Sequence, residues 1–449
     1  MTIDDETVQT SAGKAAPAVL SDREAALAAA RSLRDAIAER AVQTEADRTV
    51  PLETIDALID AGLFGVLTPK RWGGSELGFS THIEVQAEIA SACTSSGWVY
   101  GVLGGHSWLA ALFPEEAQRE VFSDPRSLIA SLLRLGGETP IKVEGGFRWS
   151  RGVGRFCSGI DHSTWVLVGG AVPDGNGSTE AWYFLVPRGD VEIIDDWHAV
   201  GLKGTGSKSI LVRDAFIPDH RAVRFSDLAV GSGPGAALYN SWTYHLPHDS
   251  IWPLSLTGAA FGAARGAIGA YVAATSSRLA NLPPIQQAAN GTALARLAKA
   301  AAQVDAATSL ILDDASAADT APDGTTFDDV EKARRHRNVA FAVQQCREAV
   351  GTLYEASGGS GVYLSAPMQR WWRDVNAAAS HVAFSWDLAS VAYGRAVTGI
   401  GADAGRASPG HGGRREVVST RWNDTADGST SAEARHRTGR ASQAPRAAG

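Results

Sequence analysis

The sequence predicts an α+β chain, mainly α, in three successive regions. Three observations carry that reading. Helical periodicity with recognisable caps fills the first third. Short β-rich runs separated by turn residues fill the middle. Long helical segments return after about residue 251. The 449 residues are 44% hydrophobic and 20% charged, a globular composition long enough for two or three domains.

Residues 1–20 are expected to form a flexible lead. Ser21 with Glu24 has capping-box spacing, and an Ala/Leu-rich amphipathic helix follows to about Arg48. Pro51 opens a second helix with Leu52, Ile55, Leu58 and Ile59 on one face, and Gly62 stops it. Further helical pattern runs from about 80 to 123. The β-rich runs are Gly146–Ser150, Trp165–Val172, Ala181–Val186, Val191–Ile194 and Ser209–Val212. Pro173 to Ser178 supplies hairpin-loop chemistry between two of them. Four long helical segments follow: Leu254–Ser277, Thr292–Ala315, Phe327–Ala356 and Arg373–Val397. The expected division is lead 1–20, helical domain 21–126, barrel-like antiparallel β domain 127–235, four-helix bundle 236–405 and disordered Arg/Gly/Ser-rich tail 406–449.

A net charge of −8 and a pI near 5.8 argue against a nucleic-acid partner. The acidic, polar start MTIDDETVQT is not expected to act as a signal or transit peptide. The most apolar stretch, Leu254 to Ala274, carries Arg265 and reads as a buried helix, so no membrane span is expected. Cys93, Cys157 and Cys346 form neither a disulfide framework nor a metal knuckle, which points to the cytoplasm. Cys157 has no acid–base partner pattern and reads as a buried thiol rather than a nucleophile.

Gly201 to Gly206 has P-loop spacing, but Ser207-Lys208 inverts the order a phosphate loop needs. His245, His248 and Asp249 are a weak metal pattern, and no metal is expected. Ser158, Asp161 and His162 cannot form a local hydrolase triad, because neighbours on an extended segment point to opposite faces.

Three segments, GLFGVLTPKRWGG, GLKGTGSKSILVRDAFIP and ASGGSGVYLSAPMQRWWRD, resemble in order the acyl-CoA dehydrogenase superfamily over about residues 20–400. That resemblance implies an N-terminal α domain, a middle β domain and a C-terminal four-helix bundle. Dehydrogenases of this fold often carry a glutamate base that would fall at Val382. Here Ser380-His381 resembles instead the two-component flavin-dependent monooxygenases, of the 4-hydroxyphenylacetate 3-hydroxylase oxygenase type. The resemblance implies FADH2 or FMNH2 supplied by a separate NAD(P)H-dependent reductase, O2 as co-substrate, and hydroxylation of a phenolic or indolic small molecule through a flavin C4a-hydroperoxide.

It also implies residue roles. His381 tunes the oxygenated flavin, Ser158 contacts flavin N5, and catalytic His106 with Ser131 orients or deprotonates the substrate. Trp98 and Thr205 line the flavin. Gly358, Gly359 and Gly361 reach the flavin phosphates of a neighbouring subunit in a homotetramer. Asp249 stands near the position of a flavin-contacting arginine in several members. Two alternatives remain: a dehydrogenase or oxidase with a relocated base, and a non-catalytic flavoprotein scaffold.

Overall fold

The computed structural model describes residues 15–400 apart from residue 289. Most of the expected lead, and the expected tail at 406–449, lie outside the described residues. Residues 15–20 are anchored: Ala18 N–H donates to Asp60 O and Leu20 N–H to Ser75 Oγ.

The first helix is three short ones, α1 (Arg23–Ser32), α2 (Arg34–Glu39) and α3 (Ala41–Asp47). Its N-cap is Asp22, which accepts from Ala25 N–H, so the expected Ser21–Glu24 box does not form. Asp reaches the orphan donors directly and leaves Ser21 one residue too early. α4 (Leu52–Asp60) follows Pro51, and Gly62 takes the left-handed conformation beyond its end. α5 (Phe79–Ala90), α6 (Thr94–Ala111) and α7 (Glu115–Phe122) complete the helical part.

All 18 residues of α6 are buried, as expected for a helix apolar on every side. Small residues let its neighbours close in. A Cβ on Gly101 would lie 1.8 Å from Gln86 Nε2 on α5. The start of α5 is capped from a distance by Asp319, which accepts from Phe79 N–H, Ser80 N–H and the Ser80 hydroxyl.

The middle region holds β1 (Ile129–Leu132), β2 (Gly136–Gly137), β3 (Ile141–Val143), β4 (Gly146–Cys157), β5 (Trp165–Pro173), β6 (Thr179–Pro187), β7 (Val191–Ile194), β8 (Lys208–Pro218) and β9 (Ala222–Arg224). They form two sheets, ordered β1-β5-β6-β9 and β2-β4-β8-β7, with β3 on β4. The pairing is antiparallel except for β1 with β5, which run parallel with Ser131 opposite Leu167. A register shift between Gly154 and Cys157 breaks the β4–β8 ladder beside Ser158. Phe156 there has φ +79°, a strained conformation of the kind that clusters at functional sites.

α8 (Phe225–Ala229) and α9 (His248–Ile251) bridge to α10 (Gly258–Ala280), α11 (Pro284–Ala288), α12 (Gly291–Asp319) and α13 (Asp329–Ala356). The segment expected as one helix over Arg373–Val397 is two, α14 (Pro367–Ala379) and α15 (Trp386–Thr398). His381 is extended at the break and caps a 3-10 turn, Val382–Phe384. Ser380 Oγ donates to Asn376 O, and Ser385 caps α15. Hydroxyl side chains here compete for backbone groups and end one helix while starting the next. No helix among the described residues is long and apolar enough to cross a membrane.

Candidate active site

Trp98 and His106 stand eight residues apart on α6, a rise of about 12 Å. Each heads a cluster. Gly159 packs between them, since a Cβ there would meet the Leu103 side chain at 3.1 Å.

The first cluster gathers Trp98, Ser158, Thr205 and His381 from four segments. Trp98 Nε1 donates to Ser158 Oγ at 3.1 Å. Ser158 Oγ lies 2.7 Å from Ser207 Oγ, which lies 2.6 Å from Thr205 Oγ1. Thr205 Oγ1 donates to Leu202 O at 2.8 Å. All these hydroxyls are buried. Leu202, left-handed at φ +51°, is held through its N–H by Asp374 Oδ1 at 2.7 Å. Burial raises the Asp374 pKa to about 6, and the Leu202 N–H opposes that rise.

His381 meets the Trp98 ring edge-on at 5.6 Å and Phe384 at 5.7 Å. Its Nδ1 accepts from Ala383 N–H at 3.3 Å. Burial pulls its pKa down to about 4, so near neutrality the ring is uncharged. With Nδ1 an acceptor, the one ring proton is on Nε2. Val382 beside it is 72% exposed.

The second cluster surrounds His106. Its Nδ1 lies 2.8 Å from Ile129 O. A carbonyl only accepts, so Nδ1 carries the proton and Nε2 is a bare acceptor. That Nε2 is buried with no partner. Burial pulls the His106 pKa down to about 4. Trp252 stacks on the ring at 4.8 Å and 21°, and His248 lies nearly parallel to the same indole at 6.0 Å and 13°. Both His248 nitrogens are buried without a partner, and burial pulls its pKa down to about 3. His82, stacked on Tyr100, is buried and pulled down to about 4, beside the backbone of Gly101 and Ser255 but outside bonding geometry. Ser131 is on β1, two residues beyond the carbonyl that holds His106.

The glycines lie elsewhere. Gly358 to Val362 forms a 3-10 turn after α13, and Gly361 lines a cleft of ≈340 Å³ with Arg278, Ser357, Ser360 and Met368. The structure therefore joins Trp98, Ser158, Thr205 and His381, sets His106 and Ser131 in the adjoining cluster, and keeps Gly358, Gly359 and Gly361 apart. Asp161 pairs with Lys208 and His162 Nε2 with Thr49 Oγ1, so neither turns to Ser158. His245 Nε2 bonds Tyr239 O and Asp249 pairs with Lys332. Cys157 is wholly buried, which pushes its thiol pKa far up.

Sequence reasoning missed Ser207, Trp252, His248 and Asp374 as parts of these clusters. Ser207 was legible, since GTGSK alternates hydroxyls with glycines. Trp252 and His248 carry no local signal, because only the packing of the 239–256 segment on α6 brings them to His106.

The residues present fit a reduced flavin. Ser158 Oγ keeps an unused lone pair, and Trp98 with Phe384 supplies a dry aromatic wall.

Residues 21–125 match the family model "Acyl-CoA dehydrogenase, N-terminal domain", and 254–386 match "Acyl-CoA dehydrogenase, C-terminal domain". The chain is 34% identical over 390 residues to the FADH(2)-dependent resorcinol hydroxylase oxygenase component of Rhizobium sp. (strain MTP-10005), covering 82% of this chain and 92% of that one. It is 34% identical over 384 residues to the flavin-dependent monooxygenase oxygenase subunit HsaA of Mycobacterium tuberculosis, covering 84% and 96%. The crystal structure of 3-HSA hydroxylase from Rhodococcus sp. RHA1 superimposes with a TM-score of 0.79 at 30% identity, covering 84% of this chain and 98% of that one. This chain belongs to the flavin-dependent monooxygenase oxygenase components built on the acyl-CoA dehydrogenase fold.

Proposed function

We propose that this chain hydroxylates an uncharged phenolic or indolic small molecule, using FADH2 or FMNH2 delivered by a separate NAD(P)H-dependent reductase. Bound reduced flavin supplies the two electrons by which one oxygen atom of O2 enters the ring and the other leaves as water. The remaining chemistry belongs to the side chains.

The observation that carries the reading is the tautomer of His106. Its Nδ1–H is spent on Ile129 O, so Nε2 accepts the proton of a phenol O–H or indole N–H. Magnitude decides between holding and removing that proton. A phenol of pKa ~10 facing a ring of pKa about 4 differs by about 6 units, or roughly 8 kcal/mol. His106 therefore orients the substrate and draws on its proton, and full transfer waits for the attacked ring to lose electron density. Ser131, two residues along β1 from that anchor, is the second substrate contact. His106 and His248 are buried among aromatic side chains, a setting that disfavours an unpaired charge and favours an uncharged aromatic part of the substrate.

On the flavin side, Ser158 would hold the reduced ring by accepting from N5–H through its unused lone pair. His381 would offer a neutral Nε2–H donor to the bound flavin, beside the buried aromatic rings of Trp98 and Phe384 that exclude water. Gly358, Gly359 and Gly361 approach the flavin phosphates of a neighbouring subunit in a homotetramer. The exposed Val362, Tyr363 and Leu364 beside them favour a covered face. Against a dehydrogenase, Val382 supplies no base and is exposed, and the buried carboxyl of Asp374 is spent on Leu202.

The test mixes the protein with photoreduced flavin, then with air. A transient absorbance near ~380 nm, ahead of the oxidised-flavin spectrum, is expected. Immediate return to oxidised flavin, or no binding, would sink the reading.

A further inference from the structure

We infer that Ser207 and Thr205 set the hydrogen-bond polarity of Ser158, and so make this site select reduced over oxidised flavin. The inference rests on the flavin reading above and adds to it Ser207 and a specificity-determining role for Thr205.

The argument is a count of protons along one chain. Leu202 O is a carbonyl and can only accept. Thr205 has a single hydroxyl proton and gives it to that carbonyl at 2.8 Å. Thr205 Oγ1 must then be the acceptor of the 2.6 Å contact with Ser207. Ser207 spends its only proton there, so in the 2.7 Å contact with Ser158 the donor is Ser158. Trp98 Nε1, a donor only, fills one lone pair of Ser158 Oγ. Ser158 is left with one acceptor site and no proton. Every hydroxyl in the chain is buried, so solvent is not available to exchange these roles.

The far end is held as firmly. Leu202 N–H is bound by Asp374, and Leu202 O also receives Trp197 Nε1 at 3.1 Å. Arg373 binds Val200 O at 2.7 Å and pairs with Glu45 at 2.7 Å, which in turn meets Lys203 at 3.2 Å. These contacts hold the backbone on both sides of the carbonyl that terminates the chain.

The two redox states of an isoalloxazine differ at N5. The reduced ring carries N–H there, a donor; the oxidised ring carries a lone pair, an acceptor. An obligate acceptor at Ser158 matches the first and repels the second. Because the polarity is set three bonds away, it should be reversible without touching Ser158. Thr205→Val removes the acceptor for Ser207. Ser207 then turns its proton to Ser158, both Ser158 lone pairs are filled, and the Ser158 proton points outward. Ser207→Ala frees the same proton by deleting its acceptor.

The experiment measures dissociation constants of FMN and FAD, oxidised and photoreduced under argon, for wild type, Ser207→Ala, Thr205→Val, Thr205→Ser and Ser158→Ala. Wild type is expected to favour reduced flavin. Thr205→Val and Ser207→Ala are each expected to lower that preference by roughly 10-fold, partly through tighter oxidised flavin. Thr205→Ser retains the hydroxyl and should keep the preference, whereas a merely structural role would make it fall with Val. In the Ser158→Ala background, Ser207→Ala should change nothing further. Flavin binding whose redox preference survives both relay variants overturns this inference and leaves the flavin reading intact. No binding of either redox state by wild type overturns both.

Discussion

The two ends of α6 treat buried polarity in opposite ways. Near Trp98 the hydroxyls of Ser158, Ser207 and Thr205 all have partners, and the chain from the indole through them to Leu202 is closed, although Thr94 Oγ1 a turn earlier has no partner. Around His106, six polar atoms, His106 Nε2, both nitrogens of His248 and of His82, and the Tyr100 hydroxyl, are buried with none. A buried polar group without a partner costs about 1–3 kcal/mol. The closed end can hold a cofactor edge in one orientation. The open end offers buried acceptors that a polar aromatic ligand would partner, as the substrate role proposed for it needs.

The largest expected effect is acid destabilisation of the open end. His82, His106 and His248 have folded pKa values pulled down to about 4, 4 and 3 from 6.5, by burial first. The unfolded chain therefore binds protons that the native state refuses. Stability is fully present above pH 6.5 and falls as pH drops toward 4, by about 3 kcal/mol for each ring. Urea unfolding from pH 7 to 4 reads this. His248→Phe should remove about one proton from the slope, and an unaltered slope would mean that ring already has a partner in solution.

Next comes His106→Phe, which keeps the stack on Trp252 and deletes the acceptor. Product per turnover should fall about 100-fold, while the reaction of reduced flavin with O2 is unchanged. Loss of both together would place His106 at the flavin instead. His381→Val should act on the other end. The fold persists, because His381 caps only a three-residue turn, while oxygen consumption is diverted to hydrogen peroxide by about 10-fold. Unchanged coupling would remove His381 from the mechanism. The smallest effect is expected at Asp374. Asn keeps an acceptor for Leu202 N–H and should stay within about 1 kcal/mol of wild type in thermal unfolding, whereas Ala orphans that donor and costs about 1–3 kcal/mol. Equal losses for Asn and Ala would show that the charge, not the bond, holds the loop.

Much of this was legible before any coordinates. Periodicity placed α10, α12 and α13 to within a few residues, because long buried faces leave a pattern no turn can mimic. Alternating runs located β5 to β8, and the family resemblance named Trp98, His106, Ser158, Thr205 and His381, of which the structure gathers Trp98, Ser158, Thr205 and His381 into one cluster. The misses share a cause. The break at His381 looked helical because Ala-rich flanks outweigh two hydroxyl residues in any local window. The parallel β1–β5 pair had no signature, since a strand's partner is chosen at long range.

The sequence by itself determined the family, the order of the three regions and the chemical types at the site, since those follow from local pattern and residue identity. Tertiary structure alone decided direction. Whether Ser158 donates or accepts, and which nitrogen of His106 or His381 carries the proton, depends on partners brought from distant segments. A hydroxyl or an imidazole has no polarity of its own until those partners are in place.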